Sequence, residues 1–223
     1  MKKNWIILLI TVLAVLSAAA QVNDLPIREW KLTSEKPLVF YISGDGGLND
    51  FSTGLCQNIN TAGYQVSALN ARTYFWGKKT PEQTTSDIAV YLAKQLQDKA
   101  GRKFILAGYS FGSDIIPFIV NRLPENIRKQ LVSVVLLSPS GSTDFEIHYS
   151  DMLGISRKRS MDVIAEINRM GDQRTATIYN AGETSFAVNN ITLKNHSAEA
   201  LPGGHHFEGN TSEVANYMMK YFK

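Results

Sequence analysis

The chain has 223 residues, 44% of them hydrophobic, which suffices for one sizeable core and is short for two. Its formal charge of +3 falls by two, to +1, once Lys2 and Lys3 are set aside, so the remaining domain has no basic field of the kind that nucleic-acid binding requires. Cys56 is the only cysteine, which excludes an internal disulfide and leaves stability to the core.

The first element does not belong to that core. "MKKNWIILLITVLAVLSAAAQ" joins two lysines, an apolar run from Trp5 to Leu16, and Ala18 and Ala20 at A-x-A spacing. This is the anatomy of a secretory signal peptide over residues 1–20, cut after Ala20, and it predicts a periplasmic or secreted protein. An uncleaved anchor is the competing reading, but the run is shorter than the ~20 residues of a spanning helix.

From residue 21 onward the pattern predicts a single α/β domain. "PLVFYIS" (37–43) reads as a strand, and 49–63 as a helix with Phe51, Leu55, Cys56 and Ile59 inward. Residues 64–69 read as a second strand. Residues 80–101 form the clearest helix, with Thr80 as cap, Pro81 in the first turn and Gln83 completing a capping box. "KFILAGYS" (103–110) is a strand running into a serine. A helix follows over 112–123, where Pro117 predicts a kink or an early stop. Residues 131–139 and 175–180 are further buried strands, 197–203 a short last strand, and 211–222 a closing helix. Residues 142–172 are rich in charges and suit a small cap. The alternation of strands and helices implies a mostly parallel sheet covered on both faces.

Chemistry enters at "GYSFG", Gly108 to Gly112. A serine nucleophile has to project from a sharp strand-to-helix turn, and flanking glycines let the backbone pass closely; Ser110 is the candidate. The helix N-terminus behind it favours a developing oxyanion, held by the Phe111 amide. The second oxyanion amide belongs to the loop after an early strand, here "SGDGG", and is that of Asp45 or Gly46. In this fold the acid follows the serine and the histidine comes last. "GGHH" lies after the last predicted strand, whereas His148 comes too early and His196 precedes that strand. His205 is favoured as the base, because Gly203 and Gly204 free its backbone to turn over the serine; His206 is the rival. For the acid, Glu183 lies three residues past the end of the penultimate strand; Asp144 is the alternative, and Glu146 and Asp172 are weaker ones. A metal site at "HHFE" is disfavoured, since no H-E-x-x-H or second ligand cluster is present, and no cofactor is expected.

Five stretches, in order over most of residues 37 to 212, resemble the VirJ-type bacterial virulence proteins, a group of α/β-hydrolases that includes the AcvB proteins. They are "SGDGGLNDF", "ARTYFWGKKTPEQTTSDIAVYL", "LAGYSFGSDIIPFIVNRLP", "STDFEIH" and "LPGGHHFEGN". Ser110 and the histidine pair match the motifs of that family directly. The resemblance implies an exported serine hydrolase that removes the amino acid from an aminoacyl phosphatidylglycerol such as lysyl-phosphatidylglycerol, and for some members a tie to type IV secretion. The chain departs from the family at "YNAGETSFAVNN", which lacks the usual cysteine, and at Leu48, where tryptophan is usual.

Together these readings predict an esterase acting on a small-molecule or lipid ester. A cationic acyl group would meet Asp45, Asp114 or Asp144, and "TYFWGKK" would contact a glycerol-phosphate headgroup at a membrane surface. A non-catalytic partner of a secretion system on a hydrolase scaffold and a general carboxylesterase or thioesterase are the alternatives.

Overall fold

Leu38–Ile42 and Phe104–Tyr109 are buried at every position, as strands covered on both faces must be. The computed structural model describes residues 25–97, 101–147, 159–182 and 186–223. In chain order these form β1 (Ile27–Trp30), β2 (Leu38–Ile42), α1 (Asp50–Thr61), β3 (Val66–Leu69), the one-turn α2 (Ala71–Tyr74) and α3 (Pro81–Gln97). Next come β4 (Phe104–Tyr109), α4 (Phe111–Val120), α5 (Glu125–Arg128), β5 (Leu131–Leu137), β6 (Ser142–Thr143), β7 (Met161–Asp162) and α6 (Val163–Asn168). β8 (Thr175–Asn180), β9 (His196–Leu201) and α7 (Thr211–Met219) complete the order.

Seven strands make one sheet in the order β1-β3-β2-β4-β5-β8-β9, parallel throughout except for the antiparallel pair β1 and β3. Alternate side chains feed two cores. Leu38, Phe40, Ile42 and Leu106 meet α3, α4, α5 and α6 on one face. Val39, Tyr41, Ile105, Ala107 and Tyr109 meet α1 and α7 on the other. Cys56 is fully buried in the second core, where burial pushes its thiol far above the ordinary range.

Local chemistry explains the helix starts. Asn49 accepts the Ser52 amide at 3.0 Å, Thr80 accepts that of Gln83 at 3.1 Å, and Asn210 accepts that of Glu213 at 3.2 Å. Because the six strands from β2 to β9 in the main sheet run parallel, the turns that leave them gather at one edge. That edge holds Ser43–Gly47, α2, Ser110, Ser138, Ala181 and the loop after Leu201.

Two differences from the sequence expectation have a clear physical reason. Strand β1 carries no apolar run; its residues "IREW" hold two opposite charges at their centre and become a strand by pairing with β3. Pro117 does not stop α4, which runs on to Val120, because eight of its neighbours from Gly112 to Val120 are buried and packing outweighs one lost amide. Of the charged stretch 142–172, β6 and β7 pair as a two-stranded sheet, and Val163 and Ile167 of α6 pack into the first core. His148 and residues 149–158 of that stretch, the predicted signal peptide at 1–20 and Glu183 lie outside the described residues.

Candidate active site

Ser110 sits where β4 turns into α4. Its φ is 51° and ψ −120°, a conformation that non-glycine residues adopt rarely and only where surrounding structure imposes it. The imposition is visible. The Ser110 amide donates to Leu137 O at 2.8 Å, and its carbonyl accepts the Asp114 amide at 3.1 Å. A β-carbon on Gly108 would stand 2.7 Å from the Gly112 carbonyl carbon, and one on Gly112 would stand 2.7 Å from Ser43 O. Both glycines are therefore required by close approach, the reason the motif brackets its serine with them.

The loop after β9 brings the histidines in. His205 Nε2 lies 2.9 Å from Ser110 Oγ, so the hydroxyl can donate to the ring when the ring carries its proton on Nδ1. His206 points elsewhere. Its Nδ1 lies 2.7 Å from the Tyr109 hydroxyl, and its ring meets Phe51 edge-on with centroids 5.9 Å apart. The Tyr109 hydroxyl donates to His205 O at 3.1 Å, and Ser138 Oγ donates to the same carbonyl at 3.4 Å. All these contacts are satisfied at once when His206 Nδ1–H donates to Tyr109, which fixes the His206 tautomer. The structure thus brings Ser110 and His205 together and turns His206 toward Tyr109.

Tyr109 is a residue that sequence reasoning passed over. It fills the variable place in G-x-S-x-G, and only the fold shows its hydroxyl reaching the histidine loop. Gly203 permits the turn with φ 103°, and a β-carbon there would stand 2.7 Å from the Phe207 carbonyl carbon. Phe207 and Glu208 also hold positive φ, at 49° and 53°; the buried Phe207 ring anchors them.

The segment that leads to Glu183 leaves β8 beside the histidine strand. Ala181 N donates to Leu201 O at 2.8 Å, and Gly182 N to Asn180 Oδ1 at 3.2 Å. Asp144 is placed differently: its carboxylate faces Arg159 Nη1 at 3.6 Å. Glu146 follows Phe145 in the same stretch, and the Asp172 carbonyl accepts from Asn195 at the opposite end of β9. Asp114 is buried in the first turn of α4, where it accepts the Ser140 amide at 2.6 Å and the Ser140 hydroxyl. Burial pushes its carboxyl up to about 7 against the pull of those bonds, and the charge of Asp45 adds to the rise. Of the three carboxylates expected to face a cationic acyl group, Asp114 is the buried one, turned to Ser140.

In the Gly-rich loop, Gly46 N donates to Asp45 Oδ1 at 2.8 Å and Gly47 N to Gly44 O at 3.0 Å. A β-carbon on Gly44 would stand 3.5 Å from Ser110 Cβ, so the loop borders the serine directly. The Ser43 hydroxyl accepts the Ala71 amide at 3.0 Å and ties the loop to α2. His196, at the start of β9, pairs with Thr177 Oγ1 at 2.9 Å away from this edge, and burial lowers its basicity. Among the described residues no group of three or more His, Cys, Asp and Glu side chains is arranged to hold a metal ion.

Solved structures carry the same fold. A putative dienelactone hydrolase from Klebsiella pneumoniae shares 12% identity at a TM-score of 0.60, over 89% of this chain and 92% of its own. A lipase-esterase related protein from Clostridium acetobutylicum shares 13% at 0.63, over 88% and 99%. A membrane phospholipase A, described as a bacterial virulence factor, shares 13% at 0.61, over 98% and 97%. Curated protein sequences give no match. The model of the bacterial virulence protein VirJ, by contrast, matches residues 36–223, a span that holds the serine turn, the Gly-rich loop and the histidine loop, and the chain belongs to the VirJ family.

Proposed function

We propose that this VirJ-family chain is an exported serine hydrolase that cleaves the aminoacyl ester of phosphatidylglycerol by two-step acyl transfer. The observation that carries the reading is the 2.9 Å contact between His205 Nε2 and Ser110 Oγ at a strained strand-to-helix turn. Ser110 Oγ attacks the ester carbonyl while His205 takes its proton. The amides of Phe111 and Asp45 hold the oxyanion; Asp45 is preferred to Gly46 because the Gly46 N–H already donates to a carboxylate. The tetrahedral species collapses, the glycerol oxygen leaves with the proton from His205, and the amino acid stays on Ser110. Water, deprotonated by His205, then releases it and restores the serine.

Glu183 is assigned as the carboxylate that orients His205. The exit of residues 181–182 beside Leu201 supports this, as does the engagement of Asp144 with Arg159. We assign half-buried Asp45, next to Gly44 in the loop that borders the serine, as the carboxylate that meets the ammonium group of an aminoacyl substrate. The lipid portion of the reading draws on family membership and on a phospholipase of the same fold.

The test has two arms. A fluorophosphonate probe should label the wild-type chain and leave Ser110→Ala unlabelled. Lysyl-phosphatidylglycerol in liposomes should release lysine in the presence of the wild-type chain alone. An unreactive wild-type serine would reject the hydrolase; a reactive serine without lysine release would reject the substrate only.

A further inference from the structure

Arg72, Trp76, Lys78 and Lys79 form a cluster beside the site that the acyl-transfer chemistry does not use. They lie on α2 and the turn after it, at the sheet edge that also carries Ser110, since β3 and β4 run the same way into that edge. Tyr74 and Phe75 anchor the segment. The Phe75 ring meets Phe111, the residue next to Ser110, edge-on at 5.0 Å, and Phe145 at 5.9 Å. With those two rings turned inward, Arg72, Trp76 and Lys78 are turned out; the indole is 49% exposed. Lys79 Nζ stands 5.0 Å from the centre of the Tyr74 ring, and its amide donates to Phe145 O at 2.8 Å.

Among the described residues no carboxylate lies within ion-pairing distance of Arg72, Lys78 or Lys79. Of the neighbouring acids, Asp87 accepts the Tyr74 hydroxyl at 2.6 Å, Asp144 faces Arg159, and Glu146, next to Phe145, forms no ion pair with these cations. A half-exposed indole beside three cations that form no ion pair among the described residues matches one surface well. Indole prefers the boundary between water and hydrocarbon, and each basic side chain beside an anionic leaflet strengthens binding several-fold. A nucleic acid is the poorer match, since the chain outside its first three residues is near neutral.

We propose that Arg72, Trp76, Lys78 and Lys79 form a docking surface for an anionic phospholipid bilayer, setting the Ser110 edge of the sheet against the headgroups. Its purpose rests on the reading of Ser110 as nucleophile, but its test does not. Full-length chain carrying Ser110→Ala is cosedimented with vesicles of phosphatidylcholine alone and of phosphatidylcholine mixed with phosphatidylglycerol. The apolar run near the N-terminus is present in every variant and cancels in the comparison. The triple change Arg72→Gln, Lys78→Gln, Lys79→Gln should weaken binding to the mixed vesicles by about tenfold or more. The swap Arg72→Lys, Lys78→Arg, Lys79→Arg should keep it, which separates lost charge from lost folding. Trp76→Ala should weaken binding to both vesicle types. Equal binding of the glutamine triple and its parent would overturn the proposal, as would an equal loss in the charge-conserving swap. Probe labelling of Ser110 in the wild-type chain judges the nucleophile independently.

Discussion

Ser110 and His205 each depend on backbone more than on side-chain surroundings. The serine is held at positive φ by its amide bond to Leu137 O and by the close approach of Gly112 to Ser43, and the histidine by its carbonyl, which Tyr109 and Ser138 grip. Kinetic outcomes follow at this scale. Ser110→Ala and His205→Ala should each lower kcat for ester hydrolysis by about a thousandfold or more with the fold retained, as measured by steady-state kinetics and circular dichroism. His206→Ala should cost only about tenfold, because His206 acts through Tyr109. Tyr109→Phe should cost a similar factor, and the double variant little beyond the worse single one, since both break one chain of contacts. Asp114 gives a stability signature. Its carboxyl rises from 3.8 to about 7 on folding, so the folded state holds this proton more tightly than the unfolded state. The contribution is fully present below pH 3.8 and is lost as pH rises toward 7. Thermal melts of the wild type should therefore lose stability across that window, and Asp114→Asn should flatten the loss. Little of this was legible beforehand. The glycine-flanked serine and the glycine-led histidine are local patterns, whereas the Tyr109 contact spans 96 positions of chain.

Among the elements, the sequence made the buried strands and capped helices readable, since their signals are short-range: apolar runs, Thr80 with Gln83, Asn49 before an amphipathic stretch. β1 and the continuation of α4 past Pro117 were not readable, because each is decided by a partner elsewhere in the fold. One crossing shows how tightly elements are matched. α1 and α7 touch at Gly54, where a β-carbon would stand 2.9 Å from Thr211 Oγ1 and 3.0 Å from its Cγ2. Asn58 Nδ2 donates to the same hydroxyl at 3.1 Å. Gly54→Ala should destabilise by about 1–3 kcal/mol in denaturant unfolding, and replacing Thr211 by Ser as well should recover part of that by removing the Cγ2 clash.

At the scale of the whole molecule, a parallel sheet collects its turns on one edge, so residues separated by most of the chain become neighbours there. That the serine precedes the histidine could be read from the sequence because that topology dictates it; α2 as a helical element could not, because it is a single turn with no periodicity. Export is a prediction at this scale. Mass spectrometry of chain recovered from periplasmic extract should find Gln21 at the N-terminus, and recovery of intact Met1 from the membrane fraction would favour an anchor instead. A last consequence concerns the grip on the His205 carbonyl. Tyr109 and Ser138 hold a peptide group that every residue possesses, so the loop should keep its shape when its imidazole is removed. His205→Gly would then leave an imidazole-sized gap beside Ser110 under an intact loop. Free imidazole in solution should enter it and restore turnover in a saturable way, which a collapsed loop would not allow.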